Sequence, residues 1–428
     1  MALLRALTLD TGVTLLVLVA TGAATAQNAG NTRMIERAAE AANGTEGKQA
    51  SSARLARLLT DALEDMKAEK YPAAIAKLGS AQGIRGKTVN DQHLINDMLS
   101  FSYLKTNNYE AAAKTMEAEV RDGIGSQAEI AHQIKALCEI NYQLNDYDKA
   151  IDFGTRAIEG GFADERITTI VGQSYYLKGD YPGTRKFEEG LVEGQIKAGA
   201  IPNNESLMLI YSACQKINDD ACAEESLERL VAYYPKPQTW ARLLFKVHHE
   251  SAGNEANLLE AYRLMFDTDV LQDPGDYQQM AGLLLEAGSP GEAQKVLQRG
   301  MDRNLFNDPR TKQRGQRMFD TAERRATSGR ASLSKLAQEA DAAPAGDKNA
   351  AAGRAFFGYS QFDKAADQFG KALLKGVIKG EAEDRLLLGI AQLKAGRKGD
   401  AMKTFEQVKG DPVLERLATL WRLHAKQA

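Results

Sequence analysis

From Ser52 onward apolar side chains recur at spacings of three and four, the signature of helices with one buried face. The stretch around Tyr147 shows the unit. Ile134, Leu137, Cys138 and Asn141 fall on one helical face, and Asn145-Asp146 interrupts the pattern. Ala150, Ile151, Ala157 and Ile158 then form a second face, which Gly160-Gly161 ends. An aromatic residue with alanine three positions later opens that second helix, and the phrase recurs: Tyr71 with Ala74, Tyr109 with Ala112, Tyr147 with Ala150, Phe362 with Ala365, and more weakly Tyr181 with Thr184. The aromatics at 71, 109, 147 and 181 are separated by 38, 38 and 34 residues. A nearly fixed period in that range predicts helical hairpins that bury their apolar faces only against their neighbours.

These residues resemble the tetratricopeptide repeat family, whose pattern pairs a large with a small residue in the first helix and closes the turn with an aromatic. Leu99-Ser100 with Tyr103, Tyr109 and Ala112 fits, as does Val171-Gly172 with Tyr175 and Tyr181. Leu207, Tyr211, Ala223, Leu227, Leu230 and Pro235 form another unit, and Met280-Ala281 with Pro290, Ala293 and Leu297 a further one. Ala352-Gly353 with Phe356, Phe362, Ala365, Phe369 and Ala372 is followed by Leu388-Gly389 with Ala401 and Phe405. The resemblance implies an all-α, right-handed superhelical solenoid in which the small residues let paired helices cross closely. Trp240 to Thr268 has the length of a hairpin but an ambiguous second helix. Leu305 to Asp341 lacks the aromatic and small positions, so an irregular helical pair is expected over 305–346, ending in the break Ala342 to Gly346. Pro412 opens a last helix whose Leu414, Leu417, Leu420 and Trp421 suit it to capping the array. The expected division is thus a repeat array over 52–304, the irregular pair over 305–346, and repeats with a capping helix over 347–428.

Residues 1–26 read as a signal peptide: Arg5, an apolar run from Val13 to Ala20, and the small-x-small triplet Ala24-Thr25-Ala26. A flexible leader rich in Ala, Asn, Gly, Gln and Ser follows over 27–51. The expected location is the periplasm of a Gram-negative cell. Formal net charge is −3, so no global field draws nucleic acid or an acidic membrane. Export bears on the three cysteines. Cys214 and Cys222 flank what reads as a hairpin turn, where a disulfide is feasible, and Cys138 reads as a buried free thiol.

No catalytic constellation is legible, and no cofactor, metal or small-molecule substrate is expected. The histidines at 93, 132, 248, 249 and 424 read as scattered, without a ligand partner on a shared helix face, and Glu188-Glu189 as a solvated face. Arg310, Lys312, Arg314, Arg317, Arg324, Arg325 and Arg330 make a basic segment opposed within it only by Asp320 and Glu323, a candidate peripheral membrane contact over 310–330.

In tetratricopeptide arrays the first helices line the concave side, so the resemblance implies inward positions at Asp97, Phe101, Lys105, His132, Lys135, Glu139, Tyr142, Arg166, Gln173, Tyr176 and Gln215. Phe101, Tyr142 and Tyr176 then stand as aromatics without a core role, set among polar groups, which is what a peptide-binding groove requires. The stretch Tyr234 to Trp240, Met280 to Leu285 with Gly288-Ser289-Pro290, and Lys375-Gly376-Val377 with Leu386 to Gly389 resemble, in that order, exported repeat proteins encoded with TonB, ExbB and ExbD energy-transduction systems. That resemblance implies a non-enzymatic adaptor whose partner is an envelope protein or peptide, a TonB-system component first among them. A scaffold for outer-membrane or cell-wall assembly and a regulatory subunit of an envelope enzyme are the alternatives.

Overall fold

The computed structural model describes residues 53–123, 125–376 and 379–427, so the expected signal peptide and the leader lie outside the described residues. Those residues form twenty α-helices and no strand, an all-α repeat solenoid. They fall into two compact units, divided along the chain between Asp219 and Asp220.

The N-terminal unit contains α1 (Ala53–Lys67), α2 (Tyr71–Gln82), α3 (Val89–Lys105), α4 (Tyr109–Asp122), α5 (Gln127–Gln143), α6 (Tyr147–Glu159), α7 (Glu165–Lys178), α8 (Tyr181–Lys197) and α9 (Asn204–Lys216). Each hairpin turn is made the same way. The residue two before the second helix adopts positive φ: Glu69, Asn107, Asn145 and Gly179. In the α5–α6 turn the Asp146 amide then donates back to the Asn141 carbonyl at 2.9 Å, a Schellman-type closure. Asp146 next caps α6 by accepting from the Lys149 amide, and the Tyr147 hydroxyl donates to Asn145 Oδ1 at 2.8 Å. The aromatic of the repeat phrase thus locks the turn that precedes it.

Within a hairpin the helices meet at residues sixteen apart, where one partner must be small. Gly154 on α6 sits under Val171 and against the thiol of Cys138, and Gly172 on α7 lies under the carboxylate of Glu188. Glu188 is therefore buried, contrary to its reading as a solvated residue. That burial raises its pKa to about 7, against the opposing effect of a hydrogen bond from Ser206. Cys138 is a buried free thiol whose pKa burial pushes up to about 12. Cys214 on α9 is disulfide-bonded, as is Cys222.

The C-terminal unit contains α10 (Asp220–Tyr233), α11 (Pro237–Ser251), α12 (Glu255–Asp267), α13 (Pro274–Glu286), α14 (Pro290–Asp302), α15 (Pro309–Ala342), α16 (Asp347–Gly358), α17 (Phe362–Lys375), α18 (Glu381–Lys394), α19 (Lys398–Glu406) and α20 (Pro412–Gln427). The sixteen-residue rule holds here too. A Cβ on Gly353 would come within 2.8 Å of the Phe369 ring, and one on Gly389 within 2.5 Å of Phe405.

Two expectations for this region are corrected. The irregular pair over 305–346 is a single helix, α15, of 34 residues. Gly315 and Gly329 are not breaks. They sit under Phe306 and Tyr359, and no proline interrupts the chain between Pro309 and Pro344. The aromatic and small repeat positions are missing because α15 packs through a narrow seam of Gly315, Ala322, Ala326, Leu333 and Ala340. The helix expected to cap the array does more than that. Besides α18 and α19, α20 packs against α10, α11 and α12, closing the unit on itself. Arg416 on α20 reaches Glu224 at 2.7 Å and Glu228 at 2.5 Å on α10, and Trp421 is fully buried.

Helix α12 is the ambiguous second helix of the 240–268 stretch, and its environment explains the ambiguity. Every residue from Asn257 to Met265 is buried, so neighbours cover all sides and no amphipathic period survives. Its polar side chains are answered by the helices around it. Tyr262 donates to Gln279 on α13 at 3.0 Å, and Asp267 meets His424 on α20 at 2.7 Å. Arg263 pairs with Glu292 on α14 through two bonds of 3.0 and 2.8 Å, stacks over Phe357 on α16, and also touches Glu260. Close by, Arg354 lies 2.7 Å from the fully buried Asp384 and 3.4 Å from Glu383.

Two guanidiniums thus face four carboxyls. Glu292 takes Arg263 with both of its oxygens, the bidentate geometry of a strong guanidinium–carboxyl contact. Glu260 is left to desolvation, which raises its pKa to about 8 against the pull of Arg263, and burial raises Asp384 to about 7. A carboxyl whose folded pKa exceeds its unfolded value contributes stability that is complete below about pH 4 and lost as pH rises through the folded value.

Two measurements follow from this packing. Trp240 and Trp421 both lie in the C-terminal unit, so tryptophan fluorescence reports its unfolding alone. Its urea midpoint should fall as pH rises from 5 to 9, and Glu260→Gln with Asp384→Asn should flatten that slope. A midpoint indifferent to pH would disprove the assignment. Gly154→Ala should destabilise the N-terminal unit by about 1–3 kcal/mol through overlap with Val171. Calorimetry should show one transition lowered while the tryptophan transition stays in place.

Candidate functional site

The expected inward positions lie on α3, α5, α7 and α9, the first helices of successive hairpins. Their starts are fixed by side-chain caps: Thr88 and Ser126 in reciprocal capping boxes with Asp91 and Glu129, then Asp164 and Asn203. This sets the rotational register of each helix, and with it which side chains meet the next one.

Between α5 and α7 the structure assembles a ladder of three rungs. Lys135 pairs with Asp164 at 3.1 Å, Glu139 with Arg166 at 3.1 Å, and the Tyr142 hydroxyl donates to Gln173 Oε1 at 2.7 Å. Burial raises the pKa of Glu139, with Arg166 opposing the shift. At the end of the ladder His132 is solvent-exposed, yet protein on its flanks desolvates it and, with Lys135 adding repulsion, lowers its pKa.

Other expected positions are used differently. Gln173 is buried, so it acts on a partner only through Tyr142. Phe101 leans edge-on against Tyr71 at 6.0 Å and carries Lys105 over its face. Tyr142 and Tyr176 pack edge-on against Tyr147 and Tyr181, the aromatics that follow them by five residues. The aromatics read as lacking a core role therefore support hairpin packing, and each ring stays partly exposed. Gln215 is exposed and donates to the Tyr211 hydroxyl at 2.6 Å.

Asp97 is drawn into a cluster that corrects the reading of the histidines. His93 and Asp97 are four apart on α3, with Nε2 and Oδ2 separated by 3.5 Å, and His93 Nδ1 lies 3.0 Å from Glu119 on α4. Glu119 is fully buried and also accepts from Gln133 on α5 at 2.5 Å. The three residues would also suit a divalent cation by ligand type and spacing. The i, i+4 spacing was present in the sequence, but Glu119 becomes a partner only through the hairpin turn. As it stands the ring bridges two carboxylates, and the Glu119 hydrogen bond, outweighing desolvation, raises its pKa. That contribution to stability is complete below pH 6.5 and disappears as pH rises through the folded value. In an NMR titration, the His93 resonance should report a pKa above 6.5 in the wild-type chain and a lower one in Glu119→Gln. Identical titrations would show that the bond does not form.

No protein-family model and no curated protein matches the sequence. Among solved structures, the chain is similar to one in the structure of Naa15/Naa10 bound to HypK-THB, with TM-score 0.28 and 13% identity over 87% of this chain and 67% of that one. It is also similar to a chain of the APC/C Cut9–Hcn1 hetero-tetramer, with TM-score 0.25 and 14% identity over 87% of this chain and 91% of that one.

Proposed function

We propose that this chain is a non-enzymatic protein-binding adaptor whose partner docks on the inner face of α3, α5, α7 and α9. The α5–α7 ladder carries the reading. The bond to Gln173 holds Tyr142 in a fixed orientation at one end of the ladder, and Lys135–Asp164 with Glu139–Arg166 ties α5 to α7, so the ordering cost of binding is partly met before a partner arrives. Half-buried aromatic rings supply apolar contact, and His132 with Lys105 supplies donors that no internal ion pair consumes among the described residues. A peptide segment with apolar anchors and carboxylates or carbonyls between them fits that combination. We place the adaptor in the periplasm on the signal-like first 26 residues, and we name a TonB-system component as the first partner to test on the phrases from Tyr234 to Gly389.

Photocrosslinking in the native envelope tests this directly, with a reactive residue at Tyr142 and a control at the exposed Asp152 on α6. One discrete partner at 142 and none at 152 is expected, identified by mass spectrometry. With the partner in hand, Tyr142→Ala should weaken binding roughly 30-fold, the loss typical of an aromatic anchor. Tyr142→Phe should retain most of the affinity. Equal, diffuse labelling at both positions would overturn the proposal.

A further inference from the structure

Helix α15 has two faces of different character. Its seam of Gly315, Ala322, Ala326, Leu333 and Ala340 is buried against α13, α14 and α16. With 3.6 residues per turn, Arg310, Arg314, Arg317, Arg324 and Arg325 fall within an arc of about 100° whose centre lies roughly 125° round the helix from the seam, with Arg325 at its near edge reaching the Leu285 carbonyl on α13 at 3.5 Å. Each is exposed, and none forms an ion pair among the described residues. No acidic residue shares that arc between 310 and 325. Asp320 lies about 40° beyond Arg324, just outside the arc, where it accepts from Gln316, and Glu323 lies further round. From Arg310 to Arg325 the row runs about 22 Å along one uninterrupted helix.

We propose that this face is a docking surface for an anionic phospholipid bilayer. Unneutralised guanidiniums in a line repel one another, and a dense array of phosphates relieves that cost. The row is convex and backed by packed protein, so it offers no groove for a polymer strand, and no aromatic lies on the arc for bases to stack upon. Its spacings are uneven, four, three, seven and one residues between successive arginines. Mobile lipid headgroups can shift laterally to meet such spacings, whereas the regularly spaced phosphates of a duplex cannot. The apolar seam points into the fold, so nothing on the arc inserts into the acyl region and the attachment is electrostatic. The net charge of −3 makes it a property of this face and not of the whole protein.

Co-sedimentation of the full chain with vesicles of phosphatidylcholine, with and without 30 mol% phosphatidylglycerol, provides the test. Binding is expected only to the anionic vesicles at low salt, and should vanish at high salt as the Debye length contracts. Each basic residue near such a surface changes the partition coefficient roughly fivefold. Arg310/Arg314/Arg317/Arg324→Gln should therefore lose binding, while Lys67/Lys70/Lys114/Lys348→Gln, matched in charge and exposed elsewhere, should keep it. Circular dichroism melts of both variants check that the fold survives. Equal loss in the two variants, or no binding by the wild-type chain, overturns the proposal. Retention of a 20-mer oligonucleotide by the wild-type chain but not the arginine variant, with vesicles unbound, would replace the bilayer with nucleic acid.

Discussion

Everything in this chain rests on a single close approach repeated hairpin by hairpin, in which a small residue on one helix accepts the side chain sixteen positions away on the other. Gly353 under Phe369 and Gly389 under Phe405 show it directly. The Cys138–Gly154 pair reverses the sizes, with the glycine on the second helix, and preserves the distance. Because a larger residue there would collide with its partner, the small residue sets how closely the helices cross, and the capped helix starts help set their rotation. The faces that successive first helices turn to one another are then determined. The ladder from Lys135 to Gln173 is a consequence of that geometry, not a separate design.

Much of this was legible in the sequence because it depends on local spacing. The recurring aromatic, the alanine after it and the small residue before it all act within one hairpin, and the turn at Asn145-Asp146 lies where the pattern placed it. What the spacing does not reveal is which polar side chains the packed helices bring together. Glu188 looks like one half of an exposed acidic pair until α7 brings Gly172 beneath it. His93 acquires Glu119 only across a hairpin turn. Helix α12 shows no periodicity because it is surrounded, and being surrounded is a property of the other helices. Several of the inward positions on α5 and α7 are engaged with each other, through Glu139–Arg166 and Tyr142–Gln173.

The two units use charge in opposite ways. On the N-terminal face, ion pairs at intermediate burial orient side chains that still reach water. Inside the C-terminal unit, Arg263 and Arg354 lie among more carboxyls than they can neutralise, and the surplus is absorbed by keeping Glu260 and Asp384 protonated near neutral pH. Removing one partner from such a cluster leaves an uncompensated buried charge, which costs far more than a rim pair does.

The return of α20 to α10 changes what kind of repeat protein the C-terminal unit is. An open array gains stability from nearest neighbours, frays from its ends and tolerates gain or loss of a repeat. Here the bond from Arg416 to Glu228 joins residues 188 positions apart, so the last helix finds its place only when the first is already present. Contacts of that range slow folding and make it concerted. The unit should therefore behave as one cooperative object of fixed repeat number, in which inserting or deleting a hairpin breaks the closure instead of lengthening a rod.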